Sequence, residues 1–287
     1  RFLRERLNGV SCAAVVKADA YGLGMAAVAP ALARAGCKTF FVATLGEAEE
    51  LRGLLPGATI YVLAGLQQDT APVYRRLELR PVLNSADEIE EWAAFSKSAR
   101  ARLPAAIHID SGMNRLGLST AEVEAVAGAK SSWNAFELAL VMSHLACSDE
   151  PGHTKNEVQR KAFDALRAKL PKATASLANS AGILLGRAYH YDLVRPGIAL
   201  YGGKASHAAA GRFARVVQLA GRVLQVRDVP PGETVGYGAT RTLKRHSRVA
   251  TIAVGYADGV FRALSVADNR EGLQVHFGSH PAPLIGR

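Results

Sequence analysis

Ala13-Ala14-Val15-Val16-Lys17 is a short apolar run that ends on a charge, and an Ala-rich amphipathic stretch at 24–35 follows it. A run of that length, rich in β-branched residues, reads as a strand, whereas the longer stretch has the three-and-four spacing of a helix. The same alternation spreads along the chain from there. Strand-like runs recur at 39–45, 59–63, 79–83, 105–110, 137–143, 174–178 and 191–195. Helix-like stretches stand at 47–54, 86–99, 120–129, 156–169 and 181–187. Ser85 and Ser119 occupy N-cap positions, and Glu122, three residues after Ser119, completes a capping box. Eight strands separated mostly by helices predict a parallel (β/α)8 TIM-type barrel over residues 1–205. A doubly wound open sheet is the rival.

The pattern changes after Gly203. The run 216–226 alternates roughly at period two, Pro230-Pro231-Gly232 is a turn signal, and further strand-like runs lie at 234–237, 248–254 and 273–277. Residues 206–287 therefore read as a second, β-rich domain that stops within a sheet-like stretch.

The 287 residues are 49% hydrophobic, enough for a sizeable core, and no apolar run reaches the ~20 residues that span a bilayer. The first six residues, Arg1 to Arg6, lack the apolar segment of a signal peptide, so a soluble, cytoplasmic protein is expected. Three cysteines, none in a C-x-x-C pair, argue against a disulfide framework and a cysteine zinc site, and no metal is expected. The net charge of +10 raises nucleic-acid binding, but the basic residues are dispersed and no aromatic platform interleaves them. A diffuse field that attracts a small anionic ligand fits the composition, and no nucleic-acid or membrane partner is expected.

A barrel carries its active site at the C-terminal strand ends. Those ends bear Lys17, Asp110 followed by Arg115, His144, Asn179-Ser180, and Arg195 followed by Gly197-Ile198. Each alone has an ordinary explanation: a lysine snorkels, an Asn-Ser pair caps a helix, and a strand-end histidine is structural. Their joint placement on one rim is the informative feature. The loops after strands seven and eight of barrels commonly cradle phosphate with backbone N–H groups. Ser180 supplies a hydroxyl there and Gly197 a backbone open to close approach. With Lys17 across the mouth, this points to pyridoxal 5′-phosphate held as a Schiff base. A competing dinucleotide motif, Gly22-Leu23-Gly24-Met25-Ala26-Ala27 with Glu47 beyond it, is weak because Lys17-Ala18-Asp19-Ala20-Tyr21 stands between its first glycine and the apolar run.

The segment Ala14-Val15-Val16-Lys17-Ala18-Asp19-Ala20-Tyr21-Gly22-Leu23-Gly24 resembles the cofactor-lysine motif of the alanine racemase family, pyridoxal-phosphate enzymes of the barrel fold type. The resemblance continues through 109–117, 143–146, 178–182 and 194–202, then through Val235-Gly236-Tyr237-Gly238-Ala239-Thr240 and Gly255-Tyr256-Ala257-Asp258-Gly259. It implies a racemase that interconverts L- and D-alanine, supplies D-alanine for peptidoglycan, and works as a homodimer with shared active sites. Lys17 would carry the cofactor and act as one acid/base group; Tyr237, from the partner subunit, would be the other. Inversion needs a base on each face, and because free tyrosine titrates near ~10, its anion would need nearby positive charge or hydrogen bonds. Tyr21, Ser180, Gly197 and Ile198 would hold the phosphate, with Asn179 beside Ser180 and His144 alongside the ring. Arg195 would face the pyridine nitrogen; a donor-only guanidinium leaves that nitrogen unprotonated, which shortens the carbanion's life and disfavours transamination. Arg115 would meet the substrate carboxylate and Tyr256 would stand at the entrance.

Two departures from the family pattern stand out. Many relatives carry a carbamylated lysine where this chain has His108, so a chloride or another acid is expected to orient Arg115. The chain also begins late and ends at Arg287, before the family's Met-Asp segment. A broader-specificity racemase and a non-catalytic pyridoxal-phosphate carrier are the other readings; the β-rich segment and Tyr237 argue against the carrier.

Overall fold

The computed structural model describes residues 2–128, 130–206, 213–265 and 273–286. The chain forms two compact units, Arg1–Val217 and Gln218–Arg287.

In the first unit, β2 (Ala14–Val15), β3 (Thr39–Val42), β4 (Thr59–Val62), β5 (Leu79–Leu83), β6 (Pro104–His108), β7 (Glu137–Met142) and β8 (Thr174–Ser176) form one parallel sheet in sequence order. The sheet closes on itself. β1 (Ser11–Cys12) pairs in parallel with β9 (Leu193–Val194), and the amides of Ala13 and Val15 donate to the carbonyls of Val194 and Pro196 at 2.9 and 3.0 Å. On the other side, the Asp192 and Arg195 amides donate to Ala175 and Ala178 at 3.1 and 2.9 Å. β1 and β2 are thus one barrel strand interrupted at Ala13, and the eight expected strands are all present. The open-sheet rival is excluded by this closure.

Residues alternate in and out along each strand, as the pleat requires. Val15, Phe41, Tyr61, Val82, Ala106, Leu140 and Met142 fill the barrel interior, while Ala14, Phe40, Ile60, Ile107 and Val141 pack outward on the helices. The helices are α1 (Phe2–Leu7), α2 (Met25–Arg34), α3 (Leu45–Leu54), α4 (Ala71–Arg76), α5 (Ala86–Ser98), α6 (Thr120–Ala127), α7 (Lys130–Ala135) and α8 (Lys155–Arg167). Ser85 and Ser119 cap α5 and α6 as their spacing predicts, and Thr44 with Glu47 forms a further capping box on α3. The expected helix at 181–187 is instead two 3-10 turns, Gly182–Leu185 and Arg187–Tyr189, because Gly186 between them adopts φ +116°.

The second unit is built from antiparallel pairs: β10 (Val223–Val229) with β13 (Ser247–Ile252), β11 (Thr234–Val235) with β12 (Arg241–Thr242), and β14 (Gln274–Phe277) with β15 (His280–Pro283). Of the alternating run at 216–226, only the part from Val223 onward pairs as a strand; Ala220-Gly221 interrupts the period before it. Among the described residues, no helix is long and apolar enough to cross a membrane.

Candidate active site

The first strand delivers Lys17 to the barrel mouth through an unusual backbone. Ala18, Asp19, Ala20 and Tyr21 all have φ between 51° and 60°, one turn of left-handed helix closed by Ala20 N–H to Val16 O at 2.9 Å. Such a turn costs L-residues about 1–2 kcal/mol each and persists only where surroundings impose it. Here Glu47 imposes it: one carboxylate oxygen accepts from the Ala18 amide at 2.7 Å while the other accepts from Ala43 and Thr44. Asp19 anchors the far side by accepting from the Met25 amide at 2.6 Å, at the start of α2. A helical turn of either hand brings positions i and i+4 to one face. Lys17 and Tyr21 accordingly line the same cavity.

That cavity, of about 520 Å³, is walled by the ends of the strands and the loops that follow them. Tyr21 leans on Tyr201, with ring centroids 4.8 Å apart, and burial raises both phenols. A side chain at position 197 would collide with the Tyr21 hydroxyl, so only glycine lets that backbone approach it. Ser180 is buried and its Oγ accepts from the amides of Gly197 and Ala199 at 2.9 and 3.2 Å. With both lone pairs engaged, the hydroxyl keeps its proton for an acceptor in the cavity. Arg195 is fully buried and donates to Ser176 Oγ and, at 2.5 Å, to the Ser143 carbonyl. Burial with no carboxylate beside it among the described residues presses its guanidinium below the usual arginine range, and further N–H groups remain for a cavity acceptor.

His144 follows β7. Its loop is held by Gln159 of α8, which donates to the His144 carbonyl at 2.9 Å and accepts from the Ala146 amide at 2.8 Å. Asn179 accepts from Ser148 Oγ and the Gly182 amide, both at 2.9 Å, which turns its Nδ2 toward His144 Nε2 at 3.5 Å. Arg115 stands on a loop shaped by Asp110, whose Oδ1 accepts from the amides of Gly112, Met113 and Asn114 at 2.8–3.1 Å. Asp110 is therefore occupied as a turn-former. His108 lies beneath, at the end of β6.

Lys17, Tyr21, Arg115, His144, Asn179, Ser180, Arg195, Gly197 and Ile198 all line this one cavity. Tyr237 and Tyr256 belong to the second unit, on 3-10 turns, 72% and 59% exposed, with the Arg262 guanidinium 5.7 Å from the Tyr256 ring. The strand-end rule also points to Asn84, just after β5, which the sequence reading did not single out, and Glu47 entered that reading only with the weak dinucleotide motif. The Thr44-x-x-Glu47 capping spacing was the available signal for the latter.

The two cavity histidines have a measurable consequence. Burial first, then the charges of Arg195 and Arg115, push His108 down to about 4 and His144 to about 3. In the unfolded chain both take up protons near ~6.5, so the unfolded state gains protons first as pH falls. Stability is expected to be full above pH ~6.5 and to fall below it, down to about 4 for the His108 contribution and about 3 for that of His144, with His108 alone contributing up to ~3 kcal/mol. Thermal melts between pH 8 and pH 4.5 check this; a flat profile for wild type would refute it.

The geometry suits a ligand with a phosphate and an aromatic ring: a proton-keeping hydroxyl, a glycine backbone in close approach, a lysine and an acid-free buried arginine face one space. Comparisons with known proteins agree. Residues 1–205 match the family "Alanine racemase, N-terminal domain" and residues 216–287 match "Alanine racemase, C-terminal domain". The chain is 51% identical over 263 residues to an alanine racemase of Methylobacterium sp. strain 4-46, covering 92% of this chain and 72% of that one. It is 48% identical to a catabolic alanine racemase of Mesorhizobium japonicum over 278 residues, 96% and 73% of the two chains. The crystal structure of alanine racemase from Bartonella henselae with covalently bound pyridoxal phosphate superposes with a TM-score of 0.91 at 38% identity, covering 99% of this chain and 78% of that one. By sequence and by fold, this chain belongs to the alanine racemase family.

Proposed function

We propose that Lys17 and Tyr237 are the two acid/base groups with which this chain interconverts L- and D-alanine, and that the barrel-mouth cavity holds pyridoxal 5′-phosphate. The observation that carries this reading is the convergence of Lys17, the Ser180 hydroxyl with its proton free, and the acid-free Arg195 on one cavity. Bound there, the cofactor supplies an electron-withdrawing ring that acidifies the substrate's α-hydrogen. Tyr21, Ser180, Gly197 and Ile198 would hold its phosphate, Asn179 and His144 would flank its ring, and Arg195 would donate to the ring nitrogen. Arg115, a donor-only cation on the cavity wall, takes the alanine carboxylate, and Tyr256 guards the entrance.

A change of configuration requires a proton to leave one face of Cα and another to arrive on the opposite face. Lys17 Nζ serves one face from the barrel. The phenol of Tyr237 serves the other from a partner subunit in a homodimer, and its 72% exposure leaves it open to a second molecule. The unbridged thiols of Cys37 and Cys147 accord with a cytoplasmic setting. D-alanine for peptidoglycan is the product we assign; a catabolic role is the second reading, favoured by the 48% identity to the Mesorhizobium enzyme.

The direct test is an absorbance spectrum of the purified, cofactor-loaded protein before and after borohydride, followed by peptide mapping. A visible band that vanishes on reduction and leaves the cofactor on Lys17 is expected. Attachment at any other lysine overturns the assignment.

A further inference from the structure

Asn84 closes β5 and is buried, and its Nδ2 donates to two carbonyls, Val82 at 2.8 Å and Leu63 at 3.2 Å. Flipping the amide would turn its oxygen against both carbonyls, so the orientation is fixed. Oδ1 therefore accepts, and the group 2.9 Å from it is His108 Nδ1. That nitrogen must carry the proton. A second proton would make a buried imidazolium facing Arg195 and Arg115, with only Asp110 to favour it, and the ring is accordingly held neutral. Nε2 is left with a bare lone pair. Among the described residues it has no hydrogen bond, nor is it among the sealed, unpartnered buried atoms, so it opens to the cavity that His108 lines.

Arg115 lines the same cavity, and among the described residues it has no hydrogen bond or ion pair. One group is a neutral acceptor and the other a donor-only cation.

We propose that His108 is a positioning residue for Arg115: fixed by Asn84 as its Nδ1–H tautomer, it offers the Nε2 lone pair to the guanidinium when an amino-acid carboxylate enters. A neutral acceptor orients Arg115 without cancelling the charge the substrate carboxylate needs, as an acidic partner would. No bound anion is then required beside Arg115. This inference rests on the reading of Arg115 as the carboxylate-binding group.

Two variants of the holoenzyme separate the ring's two ends. Asparagine reaches the Nδ1 position and keeps the bond to Asn84; glutamine reaches the Nε2 position and keeps an acceptor toward the cavity. His108→Asn is expected to raise KM for alanine about tenfold with kcat nearly unchanged, and His108→Gln to recover most of that loss. The ¹⁵N spectrum of the histidine rings provides a readout independent of activity. The resonances that disappear in His108→Gln are expected to report an Nδ1–H ring, converted toward Nε2–H in Asn84→Ala. An Nε2–H ring in the wild-type protein, or an unaltered KM in a folded His108→Asn enzyme, overturns the proposal. A wild-type protein without racemase activity would instead refute the proposed function, while the tautomer would still be read from the spectrum.

Discussion

Lys17→Ala is expected to lower racemase turnover by at least ~10³-fold in both directions, because in the proposed mechanism one side chain both anchors the cofactor and exchanges the proton on one face. The loss should not come from unfolding. Lys17 is only partly buried, and the left-handed turn beyond it is held by backbone amides to Glu47 and Asp19, which the substitution leaves in place. Circular dichroism should match wild type, and the borohydride-stable attachment should disappear. Turnover within tenfold of wild type would show that another group does the chemistry.

Tyr237→Phe is expected to slow racemisation by ~10²–10⁴-fold, the range of a single lost acid/base group, with no change in melting temperature because the side chain is 72% exposed. The more informative readout is exchange. With one base remaining, solvent deuterium should still enter Cα of one enantiomer with retention while the other enantiomer becomes inert. Exchange from both enantiomers would mean that Tyr237 is not the second base. Mixing the two inactive variants tests the shared site: if each centre takes Lys17 from one subunit and Tyr237 from its partner, half the dimers regain one of two centres. About a quarter of wild-type activity should return after subunit exchange. No recovery, with exchange verified, would place both groups in one chain.

Much of this molecule was legible in the residue order because the signals are local. The first barrel strand, the capping box at Ser119 and the polar ends of five strands are set by neighbours a few residues apart, and periodicity reports them directly. The short helices α4 and α7 left no such signal, since six residues hold less than two turns of pattern. The 3-10 turns after Asn179 were misread as a helix because glycine at 186 is neutral in composition and decisive only in its φ angle.

The sequence by itself determined which residues the barrel carries at its mouth: a strand ends where its apolar run ends, and the closed fold gathers those ends. What those residues are free to do was decided only in three dimensions. Glu47 reads as the acid of a weak dinucleotide motif, yet it caps α3 and holds Ala18 in a left-handed turn 29 residues away. Ser180 reads as a generic hydroxyl, and becomes a proton donor only once the Gly197 and Ala199 amides have taken its lone pairs. His108 reads as a departure from a family pattern, and its proton is assigned by Asn84 from the neighbouring strand. Hydrogen-bond direction and burial belong to groups brought together by sheet closure, far apart along the chain, and spacing in the sequence carries no record of them.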